Sequence, residues 1–298
     1  MNNEEQLQWE TRLGRPAAFA AFAAGLLLLA GTVVFQSLLE NRPGVRSLPD
    51  FLLSANESPG TLIGATVIQG VAALLLTVVF YYLFRATVHR TPGMPNWFVY
   101  FIVIGPLMYG VSQVIGALDR VDVAETFAQQ SSNLGPCPAI EGERGLNCAE
   151  DLLREDPNPV SIGLSLAGSV AVAFLFVMMP LRARRAGLLS PFMSILGVIA
   201  GVLLVLQLLP LVPVIIQAFW LGAIGALFLG AWPGGRGPAW ETGTAAPWPR
   251  PAARRGAARR GADEPPQPDD RAAGNGVPPD DEPAPQRPSS RKRRRKRR

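Results

Sequence analysis

Residues 61–84 read TLIGATVIQGVAALLLTVVFYYLF, an apolar run in which no side chain carries a charge. An α-helix rises about 1.5 Å per residue, so a run of this length can cross the hydrocarbon core of a bilayer, which is about 30 Å thick. Five further runs of similar length also lack Asp, Glu, Lys, Arg and His: residues 17–39, 97–118, 160–181, 188–209 and 211–232. The sequence therefore predicts an all-α membrane protein, a bundle of six transmembrane helices.

The segments outside these runs are too short or too poor in apolar residues for a second folded domain. We divide the chain into an N-terminal arm (residues 1–16), a six-helix transmembrane domain (17–232) and a Pro- and Arg-rich tail (233–298) that is expected to be disordered. Outside the bilayer, short helices are predicted after residue 47 and over residues 149–155. The third run is expected to continue outward as an amphipathic helix into the loop 119–159.

The basic residues predict the orientation, because Lys and Arg in short loops accumulate on the cytoplasmic side. Of the 28 basic residues, 23 fall on the side of the two termini, 16 of them in the tail. The best anchor is the cluster Arg182, Arg184 and Arg185 in a very short loop. Both termini are therefore predicted to be cytoplasmic. Since all but two of the basic residues are Arg, beside abundant Ala, Gly and Pro, the composition indicates a GC-rich bacterial genome and an inner-membrane location.

Aromatic residues agree with this placement, because amphipathic rings favour the headgroup region of a bilayer. Four of them lie near the predicted cytoplasmic ends of the runs: Tyr81, Tyr82, Trp97 and Trp232. The alternative is that these are ordinary packing aromatics.

The loop 119–159 is predicted to be extracytoplasmic and holds both cysteines, Cys137 and Cys148. An oxidising compartment and the ten intervening residues favour a disulfide between them. A free thiol pair and half of a metal site are the alternatives. Zinc normally takes three or four protein ligands, and no histidine lies on this side, so no metal is expected. The loop is acidic, with nine carboxylates and three arginines, which is typical of a solvated surface.

Small residues spaced by four indicate helix contact faces in lipid, where close packing drives association. The fifth run has Gly197 and Gly201 at this spacing, and the fourth has Ser161, Ser165 and Ser169 on one face. The serine stripe could alternatively line a polar path, but helical serines usually bond their own backbone carbonyls, which favours packing.

The third run contains Gly105-Pro106 near its centre, where proline removes a backbone hydrogen bond and favours a kink. Gln69 and Gln113 are the deeper amides of the second and third runs, and a buried amide wants a partner. They are expected to make structural hydrogen bonds, for which each is a candidate partner of the other, or to touch a small uncharged ligand together with the kink.

The runs lack the groups that most membrane chemistry needs. Coupled transporters and proton relays place carboxylates or histidines within the membrane. Hydrolases need a nucleophile with a base, and metalloenzymes need several ligands. The single histidine, His89, lies beside Arg90 with no cysteine or carboxylate nearby in the sequence. We therefore expect neither an enzyme nor a bound cofactor.

The last eight residues read RKRRRKRR: Arg291, Lys292, Arg293, Arg294, Arg295, Lys296, Arg297 and Arg298. Such a run binds polyanions, and the anionic inner leaflet is the nearest one. No aromatic residue is interleaved to stack on bases, so sequence-specific nucleic-acid binding is not expected. The alternative is that the run only holds this end of the chain inside the cell.

These observations favour a non-enzymatic structural or regulatory scaffold embedded in the lipid bilayer. Its tail would bind anionic lipid headgroups or a cytoplasmic polyanion, and a homo-oligomer is compatible with the sequence. The alternative is a transporter or channel for a small neutral or apolar solute, which would use the Gly105-Pro106 kink with Gln69 and Gln113.

Overall fold

The computed structural model describes residues 2–40, 48–91, 93–131, 143–155, 158–206, 211–233 and 235–248. Within these ranges 87% of the residues are helical and no strand occurs. The helices are α1 (Asn3–Glu40), α2 (Leu48–Glu57), α3 (Pro59–Arg90), α4 (Phe98–Gln130), α5 (Glu143–Glu155), α6 (Pro159–Arg185), α7 (Pro191–Leu206), α8 (Val212–Leu229) and α9 (Pro238–Thr242).

Five of these helices are long and apolar enough to cross a bilayer: α1, α3, α4, α6 and α8. This indicates a multi-pass membrane protein. The sixth predicted span differs from expectation. The predicted run covers residues 188–209, whereas α7 begins three residues later, at Pro191. This helix is described as far as Leu206, a length of 16 residues. Proline suits the first helical position, where its missing N–H needs no partner.

One predicted boundary shifts because a helix continues beyond its apolar run, and a second helix extends beyond its run as predicted. The predicted arm 1–16 belongs almost entirely to α1, which starts at Asn3. At the other side of the bundle α4 extends twelve residues past Leu118 to Gln130, as its apolar spacing predicts. Helix α4 also passes through Pro106 without interruption.

The tail boundary predicted at residue 233 also moves. Residues 235–248 form α9 and the segments around it, and Ala239 and Trp240 are 0% and 5% exposed. This short segment buries apolar surface against the bundle, so it belongs to the folded part of the chain. Residues 249–298, which include the basic octet, lie outside the described residues.

The five long apolar helices and the shorter α7 form a closed ring in which neighbours are antiparallel. The order around the ring is α1, α3, α4, α6, α7 and α8, and α8 packs against α1 to close it. Trp9 near the start of α1 stacks on Tyr82 near the end of α3 at 5.4 Å between ring centroids. Similarly, Phe98 at the start of α4 lies 5.7 Å from Phe174 on the second half of α6. The chain therefore alternates between two ends of the bundle.

The middle of the ring is filled where α3 and α6 meet. Phe80, Phe176 and Trp220 are each fully buried, and the Phe80 and Phe176 rings meet edge to face at 5.1 Å. Trp220 lies 5.1 Å from Phe176 and donates its indole N–H to the Met193 carbonyl at 3.0 Å. Aromatic pairs of this geometry stabilise a core beyond the area that they bury.

Helices α3 and α4 approach closely at a pair of glycines. A Cβ at Gly70 would lie 3.2 Å from the Gly110 carbonyl oxygen, and a Cβ at Gly110 would lie 3.1 Å from that of Gly70. Backbones that approach this closely gain packing contacts that larger side chains would prevent.

Candidate functional site

The two ends of the ring differ in charge. The basic end comprises the described residues of 2–15, 85–97, 182–190 and 230–248. Its described residues include four carboxylates and one histidine. They also include eight arginines: Arg12, Arg15, Arg85, Arg90, Arg182, Arg184, Arg185 and Arg236. The acidic end comprises α2, α5 and the adjoining ends of α1, α3, α4 and α6. The described side chains there include two arginines and seven carboxylates: Asp50, Glu57, Asp119, Asp122, Glu125, Glu150 and Asp151.

A buried ion pair joins α1 to α3 at the basic end. Arg90 donates from Nη1 to Glu10 Oε1 at 2.5 Å and from Nη2 to Oε2 at 2.9 Å, and the two side chains are 0% and 3% exposed. Arg90 also donates to the carbonyls of Ala86 and Ala239, both at 2.9 Å. Bidentate geometry and these additional bonds offset the cost of removing both charges from water.

Further polar and aromatic groups surround this pair. Gln6 donates from Nε2 to Glu10 Oε1 at 2.8 Å, and the Tyr82 hydroxyl donates to the Glu10 carbonyl at 3.0 Å. The Arg90 guanidinium lies 5.5 Å from the Trp240 ring centroid, within the range of a cation–π contact. The carboxylate and the guanidinium are therefore satisfied on all sides by groups from α1, α3 and α9.

The segment 236–248, which we call the strap, contacts the basic end along its length. Trp240 donates its indole N–H to the Leu188 carbonyl at 2.9 Å, and Arg236 donates from Nε to the Leu227 carbonyl at 3.3 Å. Gly187 has a φ of +77°, and a Cβ there would collide with the Ala246 carbonyl oxygen. The strap thus depends on a glycine in the α6–α7 connection for its close approach.

A groove of about 310 Å³ opens beside the ion pair, between the end of α3, the start of α4 and the first turns of α1. It is lined by Gln6, Tyr81, Phe84, Arg85, Val88, His89, Asn96 and Val99. The Arg85 guanidinium lies 5.5 Å from the Trp9 ring centroid, and His89 Nε2 is 2.9 Å from the Asn3 amide oxygen. Cationic and apolar side chains therefore share one wall of the groove.

The predicted packing glycines lie between α6 and α7. A Cβ at Gly197 would lie 2.5 Å from Pro180 Cγ, and one at Gly201 would lie 2.7 Å from the Ala173 carbonyl oxygen. In the serine stripe, Ser161 and Ser169 are buried and Ser165 is half-buried.

Hydrogen bonding and contacts place the serines on a packed helix face. The Ser169 hydroxyl donates to the Leu166 carbonyl of its own helix at 3.0 Å. The Ser161 oxygen would lie 3.6 Å from a Cβ at Gly116 on α4.

The other predicted intramembrane residues are not brought together into one site. A Cβ at Gly105 would lie 2.9 Å from Ala171 Cβ, and the neighbouring Pro106 is buried, so this part of α4 is packed against α6. Gln69 lies toward α1, with its Cγ 2.7 Å from a Cβ built on Gly31. Gln113 is half-buried. In the described part of the chain Gln69 and Gln113 do not hydrogen-bond each other.

Cys148 on α5 is disulfide-bonded, and Cys137 lies outside the described residues. So do the eight residues of the basic octet.

The residues that dominate the basic end were not identified from the sequence. Glu10, Arg90 and Trp240 come from three distant parts of the chain, and no local spacing links them. The available signal was composition: Trp240 and Trp248 are large apolar residues in a segment otherwise rich in Pro, Gly and Ala, which is unusual for a solvated tail.

No protein-family model, curated protein or solved structure matches this chain.

Proposed function

We propose that this protein is a non-enzymatic scaffold of the bacterial inner membrane that crosses the bilayer six times. Both termini lie in the cytoplasm, and the basic tail binds anionic lipid headgroups or a cytoplasmic polyanion. The observation that carries the proposal is the pairing of a strongly arginine-rich bundle end with a strap that holds the start of the tail against it.

The antiparallel ring supports six crossings. Helices α6 and α8 both run from the acidic end to the basic end, and the 16 residues of α7 return the chain between them. At about 1.5 Å per residue these 16 residues rise about 24 Å, and the flanking apolar residues extend the segment on both sides. A sixth crossing by α7 is therefore consistent with its length.

The charge difference between the two ends supports the orientation. Arginine resists translocation, and eight arginines of the described chain lie at the basic end. The α6–α7 connection alone adjoins Arg182, Arg184 and Arg185, all within a few residues of the bilayer boundary. The basic end would therefore face the cytoplasm and the acidic end the extracytoplasmic space.

The strap supports a role in display of the tail. Trp240 is 5% exposed and hydrogen-bonded to Leu188, so residues just before the tail are fixed to the bundle. A tail that starts at the headgroup level meets the membrane surface at a high effective concentration. Each Lys or Arg near an anionic surface contributes about 1 kcal/mol, so eight consecutive cations give strong, salt-sensitive attraction.

Transport of a neutral solute has weaker support. The region between α3, α6 and α8 is filled by Phe80, Phe176 and Trp220, and α4 is packed at Gly105 against Ala171. A solute path through this part of the bundle would require these side chains to move.

Binding of the full chain, held in phosphatidylcholine nanodiscs, to added phosphatidylglycerol vesicles tests the proposal. Deletion of residues 291–298 should abolish most of this binding, and raising the salt concentration should weaken the binding of the intact chain but not the residual binding of this variant. A matched control deletes residues 272–279, an uncharged stretch of equal length, and should bind like the intact chain. Equal binding by both deletion variants at every salt concentration would contradict the proposal.

A further inference from the structure

The groove at the basic end combines a cationic and an apolar surface on one face of α3. Tyr81, Arg85 and His89 recur at a spacing of four, so they lie one above another along the last turns of the helix. Phe84 and Val88 stand beside them, and Asn96 and Val99 close the opposite wall from the start of α4. A ligand in this groove would meet polar groups and aliphatic groups together.

The charge of the groove favours an anion. Of the eight described residues that line it, Arg85 is a permanent cation and none is a carboxylate. The nearby Glu10 is held by both terminal nitrogens of Arg90, so its charge is already compensated. His89 Nε2 lies 2.9 Å from the Asn3 amide oxygen, and this contact holds the imidazole ring at the groove.

The groove also lies where lipid headgroups would be. Tyr81 and Trp97 beside it are 39% and 50% exposed, and amphipathic rings of this kind favour the bilayer interface. The Phe98 ring, 6.0 Å from both Phe84 and Trp97, continues this aromatic surface toward the bundle interior. Exposed apolar residues such as Phe101 and Val103 extend along α4 away from the basic end, as a surface for an acyl chain.

We propose that this groove binds the phosphodiester headgroup of an anionic glycerophospholipid. Arg85 and Asn96 donate hydrogen bonds to the phosphate oxygens, the His89 imidazole adds a third polar group beside them, and Val99 contacts the start of the acyl chain. The site rests on the proposed membrane placement, but it is independent of the tail, because none of its residues belongs to it. A phosphate anion could also come from solution, so the test separates the two sources.

Native mass spectrometry of the full chain in detergent measures this binding with phosphatidylglycerol, phosphatidylcholine and glycerol 1-phosphate. We expect phosphatidylglycerol to bind most tightly and Arg85→Gln to weaken it about tenfold, the effect of losing one charge-assisted hydrogen bond. Asn96→Ala removes an exposed side chain and should weaken binding by a smaller factor with no change in folding. The control Arg184→Gln removes an equal charge from an exposed position outside the groove and should have no such effect.

A second measurement locates the lipid. A phosphatidylglycerol analogue with a photoreactive acyl chain should cross-link to the segment around Val99, and this product should fall in the Arg85→Gln and Asn96→Ala variants. Equal binding by wild type and both variants would overturn the site, as would an equal loss with Arg184→Gln. If glycerol 1-phosphate binds as tightly as the lipid, the groove is a soluble-anion site and the lipid assignment is wrong. Deletion of residues 291–298 should leave the cross-link in place, which separates failure of this site from failure of tail binding.

Discussion

The basic end and the acidic end of the bundle are closed by different interactions. At the basic end, the buried Arg90–Glu10 pair, the indole of Trp240 and several backbone carbonyls join segments that are 52 to 149 residues apart. At the acidic end, α2 and α5 cover the bundle through a separate apolar cluster built from Leu52, Leu62 and Phe127 with small residues between them. The basic end depends on individual polar side chains, whereas the acidic end depends on the apolar surface area that the cluster buries.

Cavities and exposed charges show the same contrast. The acidic end has an open cavity of about 660 Å³ whose lining includes Asp119, Asp122 and Asn158. Its described ion pair, Arg154 with Glu150, is 3.6 Å long and its side chains are 78% and 44% exposed. Because exposed pairs are screened by water, they contribute little to stability. Single substitutions should therefore be far more damaging at the basic end.

Breaking the buried pair should have the largest effect. Glu10→Ala leaves the Arg90 guanidinium buried without its counter-ion, which costs about 3–5 kcal/mol of unfolding free energy. Reversible unfolding in mixed detergent measures this loss. The double variant Glu10→Leu with Arg90→Leu should recover part of it, since no uncompensated charge remains. A loss below about 1 kcal/mol in Glu10→Ala would show that the pair is hydrated.

Truncation of Trp240, which holds the strap to the bundle, should destabilise the basic end almost as much. Trp240→Ala deletes a buried ring, a hydrogen bond to Leu188 and the ring beside Arg90, at a cost of about 3–5 kcal/mol. The strap should then become accessible, and trypsin should cleave after Arg236 much faster than in the intact protein. Trp97→Ala, which truncates a half-exposed tryptophan at the same end, is the control and should leave cleavage unchanged.

The acidic end should respond moderately to loss of its covalent link. Cys148→Ser, or reduction of the intact protein, should lower stability by about 2–3 kcal/mol in the chain-entropy view of a short closed loop. Protease cleavage after Arg236 reports on the basic end and should not change. Maleimide labelling of denatured protein before any reductant is added would show that Cys148 is not bonded.

A helix cap at the acidic end should have a smaller effect. Asn158 accepts hydrogen bonds from the backbone N–H groups of Val160 and Ser161 at 3.1 and 3.3 Å, and it donates to Asp119 at 3.2 Å. Asn158→Ala should cost about 1 kcal/mol. Asn158→Ser keeps a cap acceptor without placing a second carboxylate beside Asp119 and should lose less, which calorimetric or denaturant unfolding can resolve. An equal loss in both variants would assign the stability to the bond with Asp119.

The exposed ion pair should give the smallest effect. Glu150→Gln removes its charge and should change the unfolding free energy by less than about 0.5 kcal/mol. The same measurement at high salt should show no further change. A loss close to that of Glu10→Ala would remove the distinction between the two ends.

Sequence reasoning predicted most of the helical framework but not the basic-end site. The apolar runs located α1, α3, α4, α6 and α8 because only an uncharged helix of that length suits a bilayer interior. The N-terminal boundary was less accurate, since α1 begins at Asn3 inside the predicted arm, whereas the continuation of α4 past Leu118 was anticipated. The short α2 was anticipated from the apolar residues after Pro49.

The strap was missed for a physical reason. Its composition is close to that of a solvated tail, and Trp240 is buried only because Leu188, Arg90 and Phe228 present a complementary surface. That surface forms when α3, α8 and the α6–α7 connection meet. The spacing of residues within the strap does not indicate that this surface exists.

What the sequence determined by itself was the helical class and the polarity of charge, because both depend on local properties: the length of each uncharged run and the positions of the arginines. What only the tertiary structure decided was which polar residues are buried together. Glu10, Arg90 and Trp240 meet because the ring closes with α1 beside α3 and the strap folds across them. A contact between such distant segments depends on how all the helices pack, and no single stretch of sequence specifies it.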